Sequence, residues 1–220
     1  MLFSFRVALP DRPGALAQLT ALIASHKIDV RAVDVLGGKM TEAVDQLLLD
    51  GDSDHVEALA DDLRDGGVFT LLGIRRAGIM RDNLPELAVV QAVAKDADRA
   101  LDIVTHAAPR LYDADWAIGF EAGLPHWQAR TPSAPEVQWS GRVPMRSSRL
   151  GVGVFTLPEA VRASLAMAPI PEVGVVLIGR VDETPFHDTE ILRLQQLMTT
   201  IDVLITATAT QFRQPRSSAG

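Results

Sequence analysis

The chain has no cysteine, which excludes disulfides, thiolate nucleophiles, cysteine-ligated zinc and thiol-linked chromophores, and fits a reducing compartment. Aromatic residues make up only 5% of the 220 residues, so Ala, Val, Leu and Ile must supply most of the buried area. Lysine is confined to Lys27, Lys39 and Lys95, none of them in a Walker-type phosphate loop. With 21 Lys+Arg against 28 Asp+Glu the net charge is −7, and the broad positive field that a phosphate backbone demands is missing. Nucleic acid is therefore not an expected partner. No apolar run approaches the roughly 20 residues that span a bilayer. The opening M-L-F-S-F-R lacks the basic and apolar regions of a signal peptide, so no membrane partner and a cytoplasmic location are expected. What remains is 47% apolar and 22% charged, a globular composition with length for two small domains.

Phe3, Phe5, Val7 and Leu9 alternate with Ser4, Arg6 and Ala8, as a half-buried strand requires. Pro10-Asp-Arg-Pro-Gly14 breaks that pattern, and Pro13 suits the first turn of a helix whose Leu16, Leu19, Leu22 and Ile23 recur at helical spacing. Ser25-His-Lys27 ends the helix. Ile28 to Leu36 reads as a second strand whose apolar residues change face partway, which predicts a bulge. Gly37-Gly-Lys39 marks a turn, Ala43 to Leu49 a third strand, and Ser53 or Asp54 the cap of a second helix carrying Val56, Leu59, Ala60 and Leu63. Gly66-Gly67 stops that helix before a fourth strand, Val68 to Ile74. The order is βαββαβ over residues 1–76, the split-βαβ arrangement of a ferredoxin-like α+β domain with both helices on one face of an antiparallel sheet.

The D-R-P-G-x-L loop at Asp11 to Leu16, the helix after it and the H-K-I-D-V stretch at His26 to Val30, in this element order, resemble the ACT domain family of amino-acid-binding regulatory modules. The loop chemistry has its own rationale. A helix start leaves unpaired amides and a partial positive charge that receive a carboxylate, and glycine permits close approach to the backbone. Asp11 and Asp29 are candidate acceptors for a ligand ammonium. The resemblance implies side-by-side homodimers with ligand held between the loop of one subunit and strand two of the other. The expected ligand-binding residues are Asp11, Arg12, Pro13, Gly14, Ala15, Leu16 and Asp29. Family members often carry Asn where Asp11 and Asp29 stand; two carboxylates favour a cationic group. The same loop also reads as a plain helix-initiating turn on a dimerisation surface, with its charges solvated.

Arg75 to Pro85 mixes charge, glycine and proline, and residues 77–84 read as a linker that Pro85 closes. Beyond them a helix is expected over Ala97 to Leu111, strands over Asp115 to Ala122 and Val152 to Leu157, and a helix over Glu159 to Met167. Val173 to Val181 reads as a central strand, and a last helix starts at Asp188 with Glu190 in its first turn. This layout over 85–211, and the run from Val175 through Phe186 into the Glu190 helix, resemble a GAF domain, a family of small-molecule sensory modules. A generic α+β domain is the plainer reading. Residues 212–220 read as a flexible tail.

Catalytic signatures are missing. His26, His55, His106, His126 and His187 lack metal-ligand spacing, so no metal or other cofactor is expected. No serine sits in a nucleophile elbow. Gly151 and Gly153 fall short of a dinucleotide loop and only faintly match an acetyltransferase pyrophosphate loop. Trp116, Trp127 and Trp139 are more simply core than pocket. The expected function is non-catalytic regulation: a small molecule, an amino acid above all, binds at a dimeric ACT interface and a protein partner carries the output. The alternative is an amino-acid-regulated enzyme with a catalytic second domain such as an acetyltransferase.

Overall fold

The computed structural model describes residues 1–39, 42–77, 85–122, 127–139, 148–149, 155–156, 163–171, 173–181 and 185–213. The chain divides into two compact units, Met1–Arg81 and Asp82–Gly220. The first contains β1 (Leu2–Pro10), α1 (Ala15–Ser25), β2 (Asp29–Lys39), β3 (Glu42–Asp50), α2 (Ser53–Asp65) and β4 (Thr70–Arg76). Its strands form one antiparallel sheet in the order β2-β3-β1-β4, which makes it ferredoxin-like. Because β1 and β2 both run antiparallel to β3, they are parallel to each other, and α1, which joins them, must cross over β3.

The alternation in β1 decides where the core lies. Phe3, Phe5 and Val7 pack with Leu47 and Leu49 of β3, Leu19 and Ile23 of α1, and Val56, Leu59 and Leu63 of α2. The other face of β1 is also buried, more than a half-buried strand predicts; there Arg6 Nη2 donates to Gln46 Oε1 at 2.8 Å. The expected bulge in β2 is present, with register shifts between Val30 and Ala32 and between Val35 and Gly37. Past that second shift the strand continues through Gly37-Gly38, in place of the expected turn, because both glycines pair with β3, opposite Val44 and Ala43. The cap of α2 is Asp52 rather than Ser53 or Asp54, without a side-chain hydrogen bond. Strand β4 starts at Thr70, not Val68, which is exposed.

The second unit holds α3 (Pro85–Lys95), a 3-10 turn (Ala97–Arg99), α4 (Ala100–Tyr112) and β5 (Trp116–Glu121). It continues through β6 (Trp127–Arg130), β7 (Gln138–Trp139), β8 (Ser148–Arg149), β9 (Phe155–Thr156), β10 (Ser164–Ile170), β11 (Gly174–Arg180) and α5 (Asp188–Arg213). Five strands form an antiparallel sheet ordered β6-β5-β11-β10-β8, and β7 pairs with β9. Helices α3, α4 and α5 bury one face through Val93, Val104, Ala108, Leu194 and Ile201 against Ala117, Ala166, Ala168, Val176 and Ile178. A smaller core of Trp116, Ile118, Phe120, Met167, Val175 and Leu177 occupies the opposite face.

Three expectations are corrected in this unit. Helix α3 is an element beyond those expected: Pro85 does not end the linker as a break but is the first helical residue, where its missing N–H costs nothing. Within the expected helix Glu159 to Met167, Ser164 to Met167 is strand, because Ala166 and Ala168 face the helices while Met167 faces the other core. Helix α5 runs to Arg213, past the expected start of the tail. The Gly151 and Gly153 loop, His126, most of the linker and residues 214–220 lie outside the described residues.

Candidate functional site

Strand β1 ends at Pro10, and two short bonds fold the chain back: Arg12 N–H donates to Pro10 O at 2.9 Å and Ala15 N–H to Arg12 O at 3.2 Å. Gly14 then takes φ +87°, a left-handed conformation that disfavours side chains, and becomes the N-cap of α1. Pro13 therefore precedes the cap instead of occupying the first turn. Gln18 N–H closes the first helical bond on Gly14 O at 3.0 Å, and no side chain caps the helix. The amides of Leu16 and Ala17 are left without an acceptor among the described residues. They and the helix dipole form a positive end that suits a carboxylate.

The side chains around this end divide by role. Asp11, Arg12, Pro13 and Gly14 are exposed, and the Arg12 guanidinium donates to Gln18 Oε1 at 3.0 Å. Ala15 is buried with Leu19 and Ile23 and seats α1 on the sheet, while Leu16 is exposed. Asp29 is not brought to this loop within one protomer. It lies opposite Asp50, whereas the loop leaves the sheet at Pro10, opposite Glu42; eight residues at ~3.3 Å separate the two levels by roughly 26 Å. Asp29 meets Arg31 at 3.2 Å, and Arg31 reaches Asp50 at 2.7 Å, which also holds the N-terminal ammonium at 3.1 Å. The hydrogen bond from Arg31, with that ammonium, holds the Asp50 carboxyl below its ordinary range.

One acidic residue nearer the loop end of the sheet is not among the expected site residues. Asp45 lies opposite Val7 in β1 and Val35 in β2, so it faces the helices, and it is 3% exposed. Its Oδ1 has no hydrogen-bond partner among the described residues, and burial pushes its carboxyl above the ordinary range. The signal was available: in A-V-D-Q-L-L-L a period of two puts Asp45 on the face of Leu47 and Leu49. A separate groove of about 480 Å³ between α2 and β4, lined by Phe3, Val56, Arg64 and Arg75 among others, includes none of the expected site residues.

In the second unit Trp116 is core, its ring lying where a Cβ on Gly179 would fall 2.0 Å away. Trp127 is exposed and stacks with Arg130, whose Cζ is 5.3 Å from the ring centre. Only the backbone of Trp139 is described. The most elaborate polar arrangement surrounds Arg180, which is fully buried. It donates to Asp113 O at 3.0 Å, Tyr112 O at 2.8 Å and Glu190 Oε1 at 2.9 Å, and lies 4.1 Å from the Phe186 ring centre. Glu190 Oε2 accepts the His187 N–H at 2.7 Å, and Thr189 N–H donates to His187 Nδ1 at 3.2 Å, a capping box with histidine in the usual serine place. These contacts fasten the end of α4 and the start of α5 to β11. Among the described residues no group of three or more His, Asp or Glu is placed to hold a metal, and no helix is long and apolar enough to cross a membrane.

No protein-family model matches the chain, and no curated protein matches it. Solved structures do. The ACT domain of a GTP pyrophosphokinase from Chlorobium tepidum aligns at 19% identity over 38% of this chain and 92% of its own, with a TM-score of 0.29. A candidate glycine cleavage system transcriptional repressor aligns at 11% identity over 94% of this chain and 92% of its own, with a TM-score of 0.33. A formyltetrahydrofolate deformylase from Burkholderia mallei aligns at 15% identity, a TM-score of 0.29, 43% of this chain and 37% of its own length.

Proposed function

We propose that the chain is a non-catalytic regulatory protein whose first unit is an ACT-like module binding an amino acid at the start of α1. The observation that carries this reading is the uncapped helix end, with the Leu16 and Ala17 amides open beside Gly14 and Asp11. The ligand carboxylate takes those amides and its ammonium takes Asp11. In a side-by-side homodimer formed along the edge strand β2, Asp29 of a second copy completes the site; its distance from the loop within one protomer supports a contribution in trans. Ligand at such an interface favours one subunit arrangement over another, and a protein partner reads the shift. The second unit, with an apolar central strand leading through buried Phe186 into α5, is read as GAF-like.

Thermal shift of the full chain against the twenty amino acids tests this, because a ligand specific to the native state raises the melting temperature. Asp11→Ala is expected to abolish the shift with its ligand-free melting temperature unchanged, and sedimentation is expected to give a dimer. A full shift in Asp11→Ala rejects the assigned site. An absence of any shift in the natural chain rejects the amino acid as ligand.

A further inference from the structure

Resting on that reading of the first unit, we propose that Asp45 is the cation acceptor on the floor of the α1 site, and that the ligand class is an amino acid with a positively charged side chain. The placement follows from the strand register. Asp45 shares the helix-facing side of the sheet with Val7 and Val35, three residues along β3 from Glu42, the level at which the D-R-P-G loop leaves β1. Helix α1 crosses over β3, and its buried residues Ala15 and Leu19 lie in the turns nearest that loop. The carboxyl therefore lies beneath the first half of α1, the end that presents the free Leu16 and Ala17 amides.

The chemistry follows from how Asp45 is left. A carboxyl that is 3% exposed, with an oxygen lacking any donor, is an uncommon thing for a folded chain to keep, because burial without a partner penalises the charged form. The raised proton affinity of this group agrees with that account. A ligand ammonium or guanidinium supplies the missing donor and the missing charge together. An aliphatic side chain supplies neither, and a carboxylate is repelled. Val35, opposite Asp45, belongs to the edge strand β2 and is 66% exposed in the single chain, which puts Asp45 one strand in from the seam where the second copy would pair. The ligand carboxylate rests on the helix amides, its α-ammonium on Asp11, and its side-chain cation on Asp45.

The test compares lysine, arginine, norleucine and glutamate at equal concentration by thermal shift and calorimetry on the full chain and on Asp45→Asn, which keeps the side-chain shape and removes the charge. Lysine or arginine is expected to bind the natural chain and norleucine and glutamate not to. Asp45→Asn is expected to weaken the cationic ligand at least roughly tenfold while raising the ligand-free melting temperature, which shows that the variant folds. Norleucine binding as well as lysine, or unchanged affinity in Asp45→Asn, overturns the inference. If Asp11→Ala abolishes binding of some amino acid and Asp45→Asn does not, this inference fails and the site stands; if none of the twenty binds the natural chain, both fail.

Discussion

The two units each bury a charged side chain, and they treat it in opposite ways. Arg180 in the second unit is answered from every side: the carbonyls of Tyr112 and Asp113, the Glu190 carboxylate and the Phe186 ring. Asp45 in the first unit has an oxygen that no donor among the described residues answers. A buried charge with all its partners in the same chain is a fastening, since its removal leaves the partners stranded. A buried charge without them is a local violation of the rules that make sequences fold, and such violations concentrate where a protein has something to bind.

The comparison can be broken most severely at Glu190. Glu190→Ala takes the carboxylate from the buried Arg180 guanidinium and from the His187 N–H; a loss of about 3 to 5 kcal/mol is expected in chemical denaturation. A loss under about 1 kcal/mol would show that the pair is not the fastening described. Next comes Gly179→Ala, whose Cβ would sit 2.0 Å from the Trp116 ring; displacing that ring is expected to cost about 1 to 3 kcal/mol and to alter tryptophan fluorescence. In the first unit Gly14→Ala meets no neighbour within 4 Å and suffers only from the left-handed backbone, so about 1 kcal/mol is expected. Asp11→Ala on the exposed loop is expected to change stability by less than about 0.5 kcal/mol, which is why it serves as a binding probe.

The same contrast separates what could be read from sequence from what could not. The βαββαβ order was legible because Phe3 to Leu9 alternate, the helices carry apolar stripes, and glycine, proline and serine punctuate them. The D-R-P-G loop was legible for the same reason. Asp45 was missed because one acidic residue in an apolar strand passes for the solvent face unless its parity is tracked against Leu47 and Leu49. Arg180 could not be found: its partners at Tyr112 and Asp113 are 68 and 67 residues away, and only the pairing of β5 with β11 brings them close. Strand β10 was misread because alanine and methionine favour helix locally, while Ala166 and Ala168 are small for a tertiary reason, the close approach of the helices.

The smallest expected effects sharpen the comparison within a single strand, since Asp45 and Asp50 both lie on β3 and have opposite pH signatures. Asp45 is held above the ordinary carboxylate range by burial, so the folded state keeps its proton longer than the unfolded state. Its penalty is absent at low pH, grows as the pH rises from the ordinary carboxylate value to the raised one, and is constant above that. Asp50 is held below the ordinary range by Arg31 and the N-terminal ammonium, so its contribution is complete above that range and is lost as the pH falls through its lowered value. Measured by chemical denaturation from acid to neutral pH, Asp45→Asn is expected to match the natural chain in acid and to exceed it by a constant margin once the pH has passed the raised value. Asp50→Asn is expected to match it in acid and to fall slightly below it at neutrality, because the pairs it breaks are partly solvated. Two curves that diverge in the same direction would mean that Asp45 has found a cation in the ligand-free chain, and the contrast with Arg180 would then be one of degree.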